Sequence, residues 1–171
     1  RQTKTFGSLK GANDPKYVQS NPTWSPDGRK VVFARTEMYV NENVRKAGRG
    51  LLSLNDVKEF SSGEKPFKYD LYTVDFNGGN GGVATPLPGA SNNGKSNYFP
   101  KFSPDGKWIV FCQAENFMLL QRDSRLFIIP SSGGEPRLMN CNMNEMNSWH
   151  SWSPNGRWLV FSSKNNGKYT Q

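Results

Sequence analysis

At 171 residues the chain is long enough for one ordinary domain with its own core. Hydrophobic residues make up 35% and aromatics 13%, while 17 glycines and 11 prolines point to frequent turns rather than long helices. No run approaches the ~18 apolar residues of a membrane-spanning helix. The net charge of +8 is scattered without a block of like charges, so neither membrane insertion nor a nucleic-acid surface is expected.

Three segments superimpose without gaps and set the frame for all other elements. They are Trp24-Ser25-Pro26-Asp27-Gly28-Arg29-Lys30-Val31-Val32-Phe33, Phe102-Ser103-Pro104-Asp105-Gly106-Lys107-Trp108-Ile109-Val110-Phe111 and Trp152-Ser153-Pro154-Asn155-Gly156-Arg157-Trp158-Leu159-Val160-Phe161. In each, Ser bonds locally, Pro presets φ, Asp or Asn follows, and Gly leaves the turn with φ free to become positive. An aromatic precedes the turn and an apolar run follows it, which predicts a hairpin whose second strand is covered on both faces.

In chain order, residues 5–10 come first and are expected to form the last strand of a preceding unit, because Leu9 precedes Ser25 by the spacing that separates Leu87 from Ser103. The first hairpin surrounds Ser25. Residues 36–68 are read as an insertion between a second and third strand, with a short helical turn at 57–60 after a Ser-Leu-Asn-Asp stretch. Asp70-Leu71-Tyr72-Thr73-Val74-Asp75-Phe76-Asn77-Gly78-Gly79 then aligns with Arg125-Leu126-Phe127-Ile128-Ile129-Pro130-Ser131-Ser132-Gly133-Gly134 as a third strand and its turn. Short closing strands near 83–87 and 136–139 contain Pro86 and Pro136, which only an edge strand tolerates.

Four strands with the last at the edge make a propeller blade. The fold class is therefore all-β: a β-propeller segment of about two full four-stranded blades plus partial blades at each end. Its boundaries are 1–10, 20–88 with the insertion at 36–68, 97–140, and 147–171. Such an array leaves strand edges open, so self-association is expected beside binding of a protein partner.

Ser25, Ser103 and Ser153 are turn residues, since a nucleophile would not be triplicated, and no Gly-x-Ser-x-Gly elbow occurs. No catalytic residue, cofactor or metal is expected. Asp27 and Asp105 are explained by the turn. His150, the single histidine, falls on the strand nearest the central channel and is read as structural or channel-lining, with Tyr98 and Trp149 at the channel mouth as candidate ligand contacts. The recurrent aromatics, Trp158 and Phe161 among them, are assigned to packing between blades. Arg45, Lys46 and Arg49 are the candidate partner contacts of the insertion, because long excursions on a rigid scaffold often meet partners. Cys112, in an apolar strand, reads as a buried thiol; a bridge to Cys141 needs a geometry that sequence does not supply.

The Trp24–Phe33 run resembles the WD-like repeat of TolB-type β-propellers, and the runs ending at Phe111 and Phe161 are similar to it, with Asn155 in place of the usual Asp. The segment from Asp70 to Gly79 resembles that family's third strand and turn. The resemblance implies a non-catalytic protein-binding or scaffolding module in the bacterial cell envelope, periplasmic or envelope-associated, as for TolB and its peptidoglycan-associated lipoprotein. The same repeat also forms gating propellers of prolyl-oligopeptidase-like and tricorn-like serine peptidases, whose catalytic domain would lie outside this chain. A propeller that binds a glycan or a cation at its channel is the third alternative.

Overall fold

The computed structural model describes residues 6–47, 53–119, 121–167 and 169. Its strands form three antiparallel sheets. Strands β1 (Tyr17–Trp24), β2 (Lys30–Glu37), β3 (Asp70–Asp75) and β4 (Thr85–Pro86) make the first, in the order β1-β2-β3-β4. The second has the same order in β5 (Ser96–Phe102), β6 (Trp108–Ala114), β7 (Arg125–Pro130) and β8 (Arg137–Leu138), and β9 (Asn147–Trp152) with β10 (Leu159–Ser163) forms the third. This is a propeller segment, nearly all β, with helices α1 (Glu42–Ala47) and α2 (Leu54–Ser61) confined to the insertion.

Each repeated turn closes by the same bonds. Ser103 Oγ donates to Asp105 Oδ1 at 2.6 Å and accepts the Trp108 N–H at 3.0 Å, while the Lys107 N–H bonds Asp105 Oδ1 at 3.1 Å. Ser25 with Asp27 repeats this geometry, and Asn155 supplies its amide oxygen to Ser153 Oγ at 2.8 Å. Asn replaces Asp with the turn's hydrogen bonds kept, because these use one acceptor oxygen; only the exposed 4.0 Å pairing of the second oxygen with Arg29 or Lys107 has no counterpart.

One core spans the three sheets. Val32, Ala34 and Leu71 meet Tyr98, Ile109 and Phe111 of the second sheet, and Leu126 and Ile129 continue toward Trp152, Leu159 and Phe161 of the third. Asparagines staple the junctions. The Asn97 N–H donates to Tyr69 O at 2.6 Å, and the Asn147 N–H to Ser124 O at 3.2 Å. Both asparagines are wholly buried and sit six residues ahead of a turn serine. A second tie lies at the loop after β4, where the Gly134 N–H donates to Pro88 O at 3.0 Å and Gly89 passes so close that a Cβ would fall 1.8 Å from Gly134 O.

Residues 6–10 carry no strand, contrary to the expectation for 5–10. A closing strand pairs with the third strand of its own blade, and no such strand precedes it among the described residues. These residues instead repeat the β4–β5 loop: Lys10 O accepts the Gly82 N–H at 3.0 Å as Pro88 O accepts that of Gly134, and Leu9 and Ala12 cover Val31, Phe33 and Val74. The same bond makes Gly81-Gly82, not Gly78-Gly79, the counterpart of Gly133-Gly134. The first β3–β4 connection is longer and includes a single 3-10 turn at Asn77–Gly79.

The aromatic columns divide. Phe33 and Phe111 are buried, but Trp24 and Trp158 are more than half exposed rather than core. Trp108 is covered by Arg137, whose guanidinium lies 5.1 Å from its ring centroid. Trp158, in the same column, is 72% exposed because β10 pairs only with β9 among the described residues.

Candidate functional site

Two clefts collect the sequence-derived candidates. The first runs along the initial strands of all three sheets and is lined by Asn21, Pro22, Phe99, Pro100, Lys101, Trp149, His150 and Ser151, with a volume near 370 Å³. Each strand bulges at the same repeat position, where Asn21, Phe99 and Trp149 take φ of 52°, 52° and 45°. A non-glycine residue in this region costs roughly 1 kcal/mol or more, so a bulge held three times is a built feature. The Phe99 and Trp149 rings pack at 5.9 Å between centroids, and Trp149 is 46% exposed.

Tyr98 does not line this groove, and His150 lines it only from a buried position. Tyr98 is 1% exposed, and burial pushes its hydroxyl pKa well up. His150 is 3% exposed, with Nε2 2.9 Å from Val110 O. A carbonyl only accepts, so Nε2 carries the proton and Nδ1, 3.8 Å from Cys112 Sγ, is the acceptor of the neutral ring. Burial lowers the His150 pKa to about 4, with Lys101 adding to the effect. The histidine is a strut between sheets. Cys112 lies beneath it, buried and pushed to about 12 by desolvation, while Cys141 is exposed and both thiols are free.

The second cleft lies at the insertion. Asn116, in the β6–β7 loop, clamps this segment by donating to Phe60 O at 2.8 Å and Lys65 O at 3.1 Å while accepting the Phe67 N–H at 2.7 Å. The Phe117 N–H adds a bond to Phe67 O at 2.8 Å. Phe60 stacks on Phe117 at 5.2 Å, and Tyr39 meets Phe60 edge-on at 5.6 Å. Between these rings and Met118, Leu119 and Val40 opens an apolar cleft of about 550 Å³, with Val40 and Leu119 exposed on its rim. Arg45 lines it, in an ion pair with Glu42 at 2.7 Å. Lys46 is exposed on α1 beside it, and Arg49 lies outside the described residues. Sequence reasoning missed the aromatic wall, although the spacing of Phe60, Phe67 and Phe117 outside any repeat column was its available signal.

The turn serines are committed to their turns, and their hydroxyls hold Asp27 and Asp105 below the usual carboxylate range. Among the described residues no group of three His, Cys, Asp or Glu could hold a metal ion, and no helix is long and apolar enough to cross a membrane.

No family model matches the chain, and no curated protein matches it. Among solved structures it is similar to TolB from Acinetobacter baumannii, with 14% identity and a TM-score of 0.52 over 96% of this chain and 29% of that one. It is also similar to a structure described as TolB from Agrobacterium tumefaciens, with 21% identity and a TM-score of 0.49 over 82% of this chain and 36% of that one. The chain thus spans about a third of the length of these structures. The Acinetobacter likeness assigns the fold: part of a TolB-like β-propeller.

Proposed function

We propose that this chain belongs to a non-catalytic propeller that holds protein partners at the bacterial cell envelope, in the periplasm or bound to it. The observation that carries the reading is the apolar cleft at the insertion. Apolar side chains exposed on a rigid rim are costly in a soluble surface unless something covers them, and here Val40 and Leu119 flank a ring-lined cavity of a size suited to a partner's side chains. The turn serines support the non-catalytic part, because each hydroxyl already serves its own turn. The envelope location is supported by the resemblance to TolB-type repeats. The exposed Val160 on β10, unpaired on its outer edge among the described residues, supports self-association as a companion proposal, read by light scattering as a mass above 19.3 kDa.

The test uses the protein as bait against an envelope extract, after cross-linking, beside a Val40→Glu, Leu119→Glu variant with an unchanged circular-dichroism spectrum. Loss of the captured partners in the variant is the expected result. An identical partner set would reject the cleft as the contact.

A further inference from the structure

Five Asn-Gly pairs occur in the chain, beginning at Asn77, Asn80, Asn93, Asn155 and Asn166. In such a pair the glycine has no Cβ to obstruct attack of its own nitrogen on the preceding side-chain amide. The attack also needs a glycine N–H free to lose its proton and an asparagine side chain free to swing onto the nitrogen. The fold withholds one or both at four of the pairs. The N–H groups of Gly81, Gly156 and Gly167 donate to Phe76 O at 3.0 Å, Ser153 O at 2.9 Å and Lys164 O at 3.3 Å. Asn155 is also held at Oδ1 by Ser153 Oγ and the Arg157 N–H. Asn93 is fixed by its side chain: Nδ2 donates to Gly89 O at 3.0 Å, and Oδ1 accepts the Lys95 N–H at 3.1 Å and Asn97 Nδ2 at 3.0 Å.

Asn77 differs in three respects. Among the described residues the Gly78 N–H meets no hydrogen-bond acceptor, and nothing lies within 4 Å of the place a Gly78 Cβ would take. The Asn77 side chain is exposed and, among the described residues, tied by one bond, from Nδ2 to Gly81 O at the long distance of 3.4 Å. The Asn77 carbonyl oxygen, which shares a peptide unit with the Gly78 nitrogen, accepts the Asn80 N–H and Asn80 Nδ2, each at 3.1 Å. A deprotonated amide spreads its charge over nitrogen and oxygen, so two donors on that oxygen favour the Gly78 anion that attacks. The 3-10 turn, with Asn77 at φ 48° and Gly78 at φ 62°, brings Asn80 back onto this oxygen. The second blade makes the same connection through Ser131-Ser132, so closing it does not require an Asn-Gly pair.

We propose that Asn77-Gly78 is a self-modifying site that deamidates through a cyclic imide, with Asn80 as the positioning residue that speeds the step. The Gly78 nitrogen gives its proton to hydroxide, its bond to Asn77 Cγ forms, and the Cγ–Nδ2 bond breaks as Nδ2 takes up a proton and leaves as ammonia. Water then opens the ring at either carbonyl. Opening at Cγ leaves aspartate; opening at the main-chain carbon leaves isoaspartate, which adds one carbon to the backbone. Nothing is oxidised or reduced. The product is a carboxylate in the connection that carries the Gly82 tie to Lys10 O, and it no longer has the donor that reached Gly81 O. The site is independent of the protein-binding reading and uses no residue of the cleft at Val40 and Leu119.

The experiment ages the folded chain in heavy-oxygen water at mildly alkaline pH, digests it, and reads heavy-oxygen uptake at each pair by mass spectrometry. A second sample is aged unfolded in urea. Asn77 should react first in the folded chain, severalfold ahead of the other four, whereas the five rates should converge in urea. Asn80→Asp keeps the shape of the side chain but not its donor, and should slow Asn77 by about two- to tenfold in the folded chain, the worth of one neutral hydrogen bond. In urea the same variant should leave the Asn77 rate unchanged. Asn77→Gln should remove the first-reacting site and leave the other four as they were. A different pair reacting first in the folded chain, equal folded-state rates at all five, or a wild-type Asn77 rate in folded Asn80→Asp would each overturn the assignment. The comparison of the five pairs in the wild-type chain decides the site even if a variant does not fold.

Discussion

His150 Nε2 lies 2.9 Å from the Val110 carbonyl oxygen, tying the first strand of the third sheet to the second strand of the second. Burial disfavours a positive charge on this ring and Lys101 opposes one, which together outweigh the support of the Val110 and Phe99 backbone. The unfolded chain takes up the histidine proton near its ordinary value of 6.5, the folded chain only near about 4. Between those values the unfolded state holds more protons, so stability is full above pH 6.5 and falls as the pH drops toward 4, by about 3 kcal/mol in all. Urea unfolding of wild type and His150→Gln across this range checks it; the variant should lose most of the slope.

The loop glycines make a second, sharper contrast. Gly28 has φ +69° and open space where a methyl would sit, so Gly28→Ala carries only the left-handed strain, about 1 kcal/mol. Gly89 has φ +85° and would drive its Cβ to 1.8 Å from Gly134 O, breaking the tie between neighbouring blades. Gly89→Ala should cost about 3 kcal/mol or more. Equal melting points for the two variants would contradict this difference.

Ser103 is buried, and its Oγ serves one donor and one acceptor. Ser103→Ala leaves the Trp108 N–H without that acceptor and should destabilise by about 1–2 kcal/mol. The loss is measurable by chemical denaturation, with the folded spectrum retained.

Thiol titration should find one reactive group in the native protein and two after unfolding. Cys141 is exposed, whereas Cys112 is sealed beneath His150 with its pKa pushed to about 12. Two reactive thiols in the native state would mean that the second sheet is not closed against the third.

The hairpins were legible because their chemistry is local: the Ser103–Asp105 and Asp105–Lys107 bonds each span two residues. Pro86 likewise marked its strand as an edge, and it lies on β4, paired only with β3. The left-handed bulge was hidden because its column holds Asn21, Phe99 and Trp149, three side chains with no shared conformational preference. Asn97 and Asn147 did recur ahead of each turn serine, yet Gln19 fills that place in the first blade and blurs the pattern. The insertion was least legible. Its order depends on Asn116, which is 49 residues from Phe67 and 56 from Phe60. Tyr98 was hard to place for a related reason: whether it faces a groove or a neighbouring sheet is set by stacking, not by its own strand.

Stacking of the sheets as successive blades is tested most directly by scalar coupling across the junction hydrogen bonds, read from the Asn97 amide nitrogen to the Tyr69 carbonyl carbon and from Asn147 to Ser124. Resolved coupling at both junctions is expected, stronger at the 2.6 Å bond than at the 3.2 Å one, with both amides slow to exchange. Absent coupling with rapid exchange at Asn97 and Asn147 would show that the sheets do not meet as neighbouring blades.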